Sequence, residues 1–281
     1  MSLPFDSRPT LASWPKRIYA WEELPAPFRP ALEGWRGLGM PPGNVTYIPR
    51  VAQSGGGPEY AAAWWDGQVC LQTGGNRGVQ VCRIAPGEVR MLTYQLQLLR
   101  CAVSLELKGG RQLAFSYNVV KEDQLRPVLN LLLGNPPEAP FPTVHPSTPA
   151  LDRLLEDSYA MYHTARLCYR FGAPLLDFLW LRGRARRLFQ KAAPEYFLGV
   201  LDRGLAVIFT DSYGIQTAYL RWAEVSRVSV EPKGRKGRGL QIAPRQGAAL
   251  EVPLLPGQES EAAAFLRRVK AAGLSREVYW E

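Results

Sequence analysis

The chain carries one pattern twice, with the two copies offset by 136 residues along most of their length. Pro58-Glu59-Tyr60 recurs as Pro194-Glu195-Tyr196, and Asp66-Gly67 answers Asp202-Arg203-Gly204 one residue out of step. Gly78 to Tyr94 lies over Gly214 to Val230, sharing Gly, Gln, Glu and Val and keeping several apolar positions. Each copy then closes on apolar residues at i, i+3, i+4 and i+7, the spacing of one helix face. These are Leu125, Val128, Leu129 and Leu132 in the first copy, and Ala262, Phe265, Leu266 and Val269 in the second. Each unit of a repeat must bury its own apolar face, so the repeat constrains architecture. It does not constrain function.

A length of 281 residues suits two domains, and 46% hydrophobic with 21% charged residues is ordinary globular composition. No apolar run approaches the ~18–20 residues that span a bilayer. The longest, Leu175 to Leu181, contains Asp177 and runs into arginines. The N-terminal MSLPFDSRPT lacks the charged-then-apolar pattern of a signal peptide, so a soluble, cytoplasmic protein is expected. The formal charge of +9 is spread along the chain, and arginine supplies 27 of the 34 cations. A nucleic-acid binder concentrates its cations on one face or segment, so this balance does not single out a polyanionic partner.

Residues 1–43 hold eight prolines and three tryptophans (Trp14, Trp21, Trp35) without a sustained period. They read as an extended arm lying across the first domain, with helical turns around Ala31 to Gly37. Residues 44–134 read as the first domain. Its strands are Tyr60–Trp65, Gln68–Thr73, Val79–Ile84, Val89–Leu99, Ala102–Leu107 and Gln112–Val119, with turns at Asp66-Gly67 and Lys108-Gly109-Gly110. A helix over Glu122–Leu133 follows, kinked or started late by Pro127 and stopped by Gly134. A turn over Gly74 to Gly78 would set Cys70 opposite Cys82, at a separation a disulfide tolerates; the expected state is two reduced thiols side by side, with the disulfide as the alternative.

Residues 135–194 begin with a proline-rich linker, Asn135 to Pro149. Thr148-Pro149 looks like a helix cap, with one helix from Pro149 to about Phe171 and another from Leu175 to about Lys191. Residues 195–281 read as the second domain. Its strands are Tyr196–Leu201, Leu205–Thr210, Ile215–Trp222, Val225–Glu231, Leu240–Ala243 and Leu250–Leu254, closed by a helix over Gln258–Ala272.

Six strands and a closing amphipathic helix resemble a pleckstrin-homology-like domain. The stretches Asp202-Arg203-Gly204-Leu205-Ala206-Val207-Ile208-Phe209-Thr210 and Tyr219-Leu220-Arg221-Trp222-Ala223-Glu224-Val225 resemble the bacterial branch of that superfamily. The resemblance implies an α+β, mainly β chain: two tandem bent sheets or barrels, each closed by a C-terminal helix, with a helical linker segment between them. It further implies binding of phosphoinositides, peptides or proteins rather than catalysis. Lipid-binding members use a basic loop between the first two strands. Here those turns are short and nearly neutral, so the lipid site does not carry over.

Two basic clusters stand out. Lys233, Arg235, Lys236 and Arg238 alternate with glycines in a loop whose N–H groups and fixed charge suit phosphate oxygens; a solvated hairpin has the same composition. Arg182, Arg186 and Lys191 share a face of the expected second helix, as in an amphipathic membrane-surface helix or a solvated one. No catalytic motif, metal-ligand spacing or cofactor loop occurs, and the two histidines, His145 in the linker and His163 in a helix, do not make a metal site with the scattered cysteines. The expectation is a non-catalytic adaptor with no cofactor and no metal, whose partner is another protein. Peripheral binding to an anionic membrane surface or nucleic acid is the alternative. An enzyme with a site at the domain interface comes last.

Overall fold

The computed structural model describes residues 14–50, 57–140, 146–171, 174–184, 193–210, 214–233, 237–274 and 278–281. In chain order, β1 (Lys16–Arg17) is followed by 3-10 turns at Trp21–Glu23, Ala26–Phe28 and Pro30–Leu32, and by α1 (Glu33–Gly37). Then come β2 (Val45–Ile48), β3 (Glu59–Trp65), β4 (Gln68–Gly75), β5 (Gly78–Ile84), β6 (Val89–Gln97), β7 (Arg100–Leu107), β8 (Gln112–Asn118) and α2 (Arg126–Leu133). The connecting segment holds α3 (Pro149–Asp157) and α4 (Tyr159–Thr164). The rest is β9 (Leu175–Leu181), β10 (Glu195–Leu201), β11 (Gly204–Thr210), β12 (Ile215–Arg221), β13 (Val225–Lys233), β14 (Gly237–Pro244), β15 (Leu250–Leu254), α5 (Glu259–Ala271) and β16 (Tyr279–Trp280). The chain is α+β and mainly β, and none of its helices is long and apolar enough to cross a membrane among the described residues.

The repeat persists element by element. β3 to β8 and α2 follow the same order as β10 to β15 and α5, and the 3-10 turns Pro86–Glu88 and Trp222–Glu224 fall at the same point of each copy. The unit also starts one strand earlier than its sequence pattern shows, because β2 pairs beside β3 as β9 pairs beside β10. That second pairing corrects the reading of Leu175 onward as a helix. A run as apolar as Leu-Leu-Asp-Phe-Leu-Trp-Leu fits either period. Pairing with β10, from Tyr196↔Leu181 to Val200↔Asp177, decides for a strand. Gly183 continues the close approach: a Cβ there would lie 2.7 Å from the Ala193 carbonyl.

Caps mark the helices. The Thr148 hydroxyl accepts the Leu151 N–H at 3.1 Å and starts α3. The helix expected to run to Phe171 breaks at Ser158, which is extended (φ −167°, ψ 111°) and caps α4 by accepting the Met161 N–H. The stretch Ala165–Phe171 is a 3-10 helix. Pro127 sits in the first turn of α2, and Gly134 ends it at φ 77°, in the left-handed region that glycine enters without cost.

Compactness divides the chain into two units: Met1–Val89 with Leu96–Pro140, and Arg90–Gln95 with Phe141–Glu281. In the first, β1-β2-β3-β4-β5 form an antiparallel sheet. The described N-terminal residues are not an extended arm. Ile18, Leu24, Phe28, Leu32, Trp35 and Met40 are buried in one cluster with Val45, Ala61, Ala63 and Cys70 of the sheet. Burying each large side chain is worth about 1.5–3 kcal/mol, which explains why a proline-rich segment folds down as successive turns. Gly74 admits this packing, since a Cβ there would lie 2.7 Å from the Phe28 ring. Arg83 holds the segment from its rim, with its guanidinium 4.4 Å from the Trp35 ring centroid and a 3.0 Å bond to the Ala31 carbonyl.

The β4–β5 turn corrects another expectation. Gly75 pairs with Gly78 around a two-residue turn, so Leu71 faces Cys82 and Cys70 faces Arg83. A one-residue slip moves a side chain to the other face of the sheet. Cys70 and Cys82 therefore lie on opposite faces, and all four cysteines are free.

In the second unit the sheet order is β6-β12-β11-β10-β9, with residues 90–95 of β6 at one end. The first copy's fourth repeated strand thus groups with the second unit, and among the described residues no sheet closes on itself, so of the expected bent sheets or barrels the closed-barrel form is not the one seen. A second sheet runs β15-β14-β13-β16, the last strand parallel to β13. Helix α5 covers this core with Ala262, Phe265, Leu266 and Val269, the face read from the sequence. Trp280 of β16 packs edge-on against Phe265 and Trp222.

Candidate functional site: a groove between two edge strands

Besides the two-residue β1, two strands of the first unit have no neighbour on their outer side among the described residues: β5 at the end of the five-stranded sheet, and β8 beyond β7. Antiparallel pairs alternate between hydrogen-bonded and non-bonded. With Gly75↔Gly78 closing the turn, Thr73↔Gln80 and Leu71↔Cys82 are the bonded pairs. Val79 and Val81 then direct their main-chain N–H and C=O groups away from β4. Val81 is also one of the exposed large hydrophobic residues, at 48%.

A cavity of about 210 Å³ opens between β5 and β8. Its floor is apolar, from Ile48, Ala62, Leu71 and Phe115; Thr73, Gln80 and Arg111 supply polar groups. Tyr60 meets Phe115 edge-on at 6.3 Å, and Phe115 stacks on Tyr117 at 6.1 Å, which fixes that wall. Cys82 lines the cavity at 7% exposure, whereas Cys70, Cys101 and Cys168 are wholly buried. Burial pushes the Cys82 thiol up, and the Arg111 charge pulls it partly back. Arg111 precedes β8; its carbonyl accepts the Leu107 N–H at 2.9 Å, and its exposed guanidinium pairs with no carboxylate among the described residues.

The basic residues singled out in the sequence lie in the second unit. Arg182 follows a strand rather than occupying a helix; its guanidinium stacks 4.5 Å from the Trp180 ring centroid, and its carbonyl accepts a Gln258 side-chain N–H. Lys233 ends β13 opposite Gly237, and Arg238 is exposed on β14 opposite Leu254. Leu254 and Gln258 bracket the β15–α5 turn, which the Leu255 N–H tightens by donating to the Gln258 side chain. The turn thereby connects Arg182 to Arg238. Arg186, Lys191, Arg235 and Lys236 lie outside the described residues.

The groove residues escaped the sequence reading because they are ordinary strand residues scattered over five segments. The available signal was β5 itself, where Val79 and Val81 alternate with polar residues just beyond a tight turn. Among the described residues no three His, Cys, Asp or Glu side chains gather as a metal site. No protein-family model matches the chain, and no curated protein matches it significantly.

Proposed function

We propose that this protein is a non-catalytic interaction module built from two tandem pleckstrin-homology-like units, and that it docks a protein partner along the β5 edge. The observation that carries this reading is an unpaired strand edge running beside an apolar cavity. Main-chain groups left open on an edge recruit an extended segment, and the adjoining cavity selects its side chains. The β6–β7 turn of the same unit adds exposed apolar surface: Leu98 is 91% exposed at φ 52°, with Leu99 and Val120 exposed nearby. A bulky residue held in the left-handed region and pointed at water fits a contact surface better than a packing role. Affinity capture from native extract tests the proposal. Val81→Lys and Arg111→Glu should each deplete a partner that the unmodified chain recovers at moderate salt. Equal recovery by both variants would remove the groove from the reading.

A second reading, peripheral binding of anionic lipid or nucleic acid, draws support from the shared β15–α5 turn that connects Arg182 and Arg238. It requires binding to anionic vesicles or DNA that falls steeply with salt. Charge removal at Lys233, Arg235, Lys236 and Arg238 should then abolish binding. Weak binding at low salt, unchanged by those substitutions, would leave the protein-partner reading alone.

A further inference from the structure

The size and chemistry of the β5–β8 cavity narrow what a partner can insert. Cavities that take drug-sized ligands begin near 300 Å³, and one of about 150 Å³ holds a benzene ring. At about 210 Å³ this cavity has room for one ring-sized group. Its Leu71 and Phe115 surfaces favour an apolar ring, and Arg111 adds a guanidinium free of any ion pair among the described residues. Guanidinium groups recognise carboxylates through charge-assisted, often bidentate bonds.

We propose that the cavity receives an aromatic side chain whose neighbouring carboxylate pairs with Arg111, presented by an acidic extended segment of the partner lying along β5. This rests on the groove reading above and gives it an anchor residue. The main chain of the segment would bond Val79 and Val81, while its ring displaces solvent beside Leu71, Cys82 and Phe115.

Cys82 supplies the readout, because it is the one cysteine that lines the cavity while the other three are wholly buried. The probes are 3-phenylpropionate, its neutral amide, and a short acidic peptide with one central phenylalanine, applied to the full chain. Alkylation of Cys82 by N-ethylmaleimide is followed by mass spectrometry, and backbone amide shifts at Leu71, Cys82 and Phe115 by NMR. The acid should protect Cys82 at least tenfold better than the amide, a difference of about 1.4 kcal/mol. The peptide should bind more tightly than the acid. Arg111→Gln, at an exposed position, should bring acid and amide together, and Leu71→Trp should abolish protection by filling the cavity. Equal protection by acid and amide, or an acid preference that survives Arg111→Gln, overturns the carboxylate assignment. Binding of the acid without the peptide makes the occupant a free small acid and overturns the partner anchor. Should no probe bind at millimolar concentration while Val81→Lys still loses a captured partner, the anchor chemistry is wrong and the groove reading stands.

Discussion

Asp177 should be the costliest exposed-partner charge to remove in the second unit. It lies on β9 with its side chain 12% exposed, accepting from Arg153 of α3 at 2.8 Å and from the Arg268 Nε of α5 at 3.1 Å. It also accepts the Phe178 N–H at 2.8 Å, so one carboxylate ties two helices to an edge strand. Bonds to a charged group contribute about 1.5–3 kcal/mol each when sequestered. Both arginines are nearly half exposed, which screens their share toward the surface-pair value of up to about 1 kcal/mol. Summing the sequestered amide bond and two screened arginine bonds, Asp177→Ala should lose about 2–5 kcal/mol. Urea unfolding followed by tryptophan fluorescence measures it. The Arg153→Met and Arg268→Met losses should sum to less than the Asp177→Ala loss, because each leaves the other arm in place. A loss below about 0.5 kcal/mol, ordinary for a surface substitution, would refute the reasoning and the assignment of Leu175–Leu181 as a strand that presents Asp177 to both helices.

Other consequences follow from burial. Phe265→Ala should cost about 3–5 kcal/mol, since the ring is wholly buried between α5 and the β13–β16 sheet; a calorimetric loss under 1 kcal/mol would contradict that packing. Arg90 is 7% exposed and its Nε lacks a partner among the described residues, so Arg90→Met should stabilise the protein by about 1–3 kcal/mol in chemical denaturation; destabilisation would mean the charge is compensated. Burial pushes the Cys70 thiol from its ordinary value near 9 to about 11. Because the folded state holds this proton more tightly, the associated stability is full below pH 9 and is lost as pH rises toward 11. The loss is about 2–3 kcal/mol across that window, and Cys70→Ala should flatten this part of the stability–pH curve; an unchanged slope would refute it.

Much of the architecture was legible because turns and helix ends demand particular residues. Asp66 and Gly67 have φ of 47° and 69°, a pairing few residues besides Asp, Asn and Gly adopt, and Gly134 stops α2 for the same reason. The apolar face of α5 needed only its spacing. Leu175–Leu181 was misread because continuous apolarity carries no period, and pairing with β10 settles it only in three dimensions. The Cys70–Cys82 pairing failed on turn length, a difference that moves one thiol into the N-terminal cluster and the other into the groove. The N-terminal segment was expected to be extended on its prolines, yet Phe28, Leu32 and Trp35 override them by burial. The groove was illegible for another reason: Tyr60, Leu71, Cys82, Arg111 and Phe115 meet only once β5 and β8 are placed. Neither their types nor their spacing sets them apart.

Hydrogen exchange along β5 tests the central claim most directly. In the free chain, the Val79 and Val81 amides point away from β4 and should exchange quickly, while Gln80 and Cys82, bonded to β4, exchange slowly. With the captured partner bound, strand addition should slow Val79 and Val81 by at least an order of magnitude and leave the β13–β14 hairpin unchanged. Unaltered exchange at Val79 and Val81, with protection appearing instead around Arg182 and Arg238, would contradict docking at the β5 edge and move the interaction to the second unit.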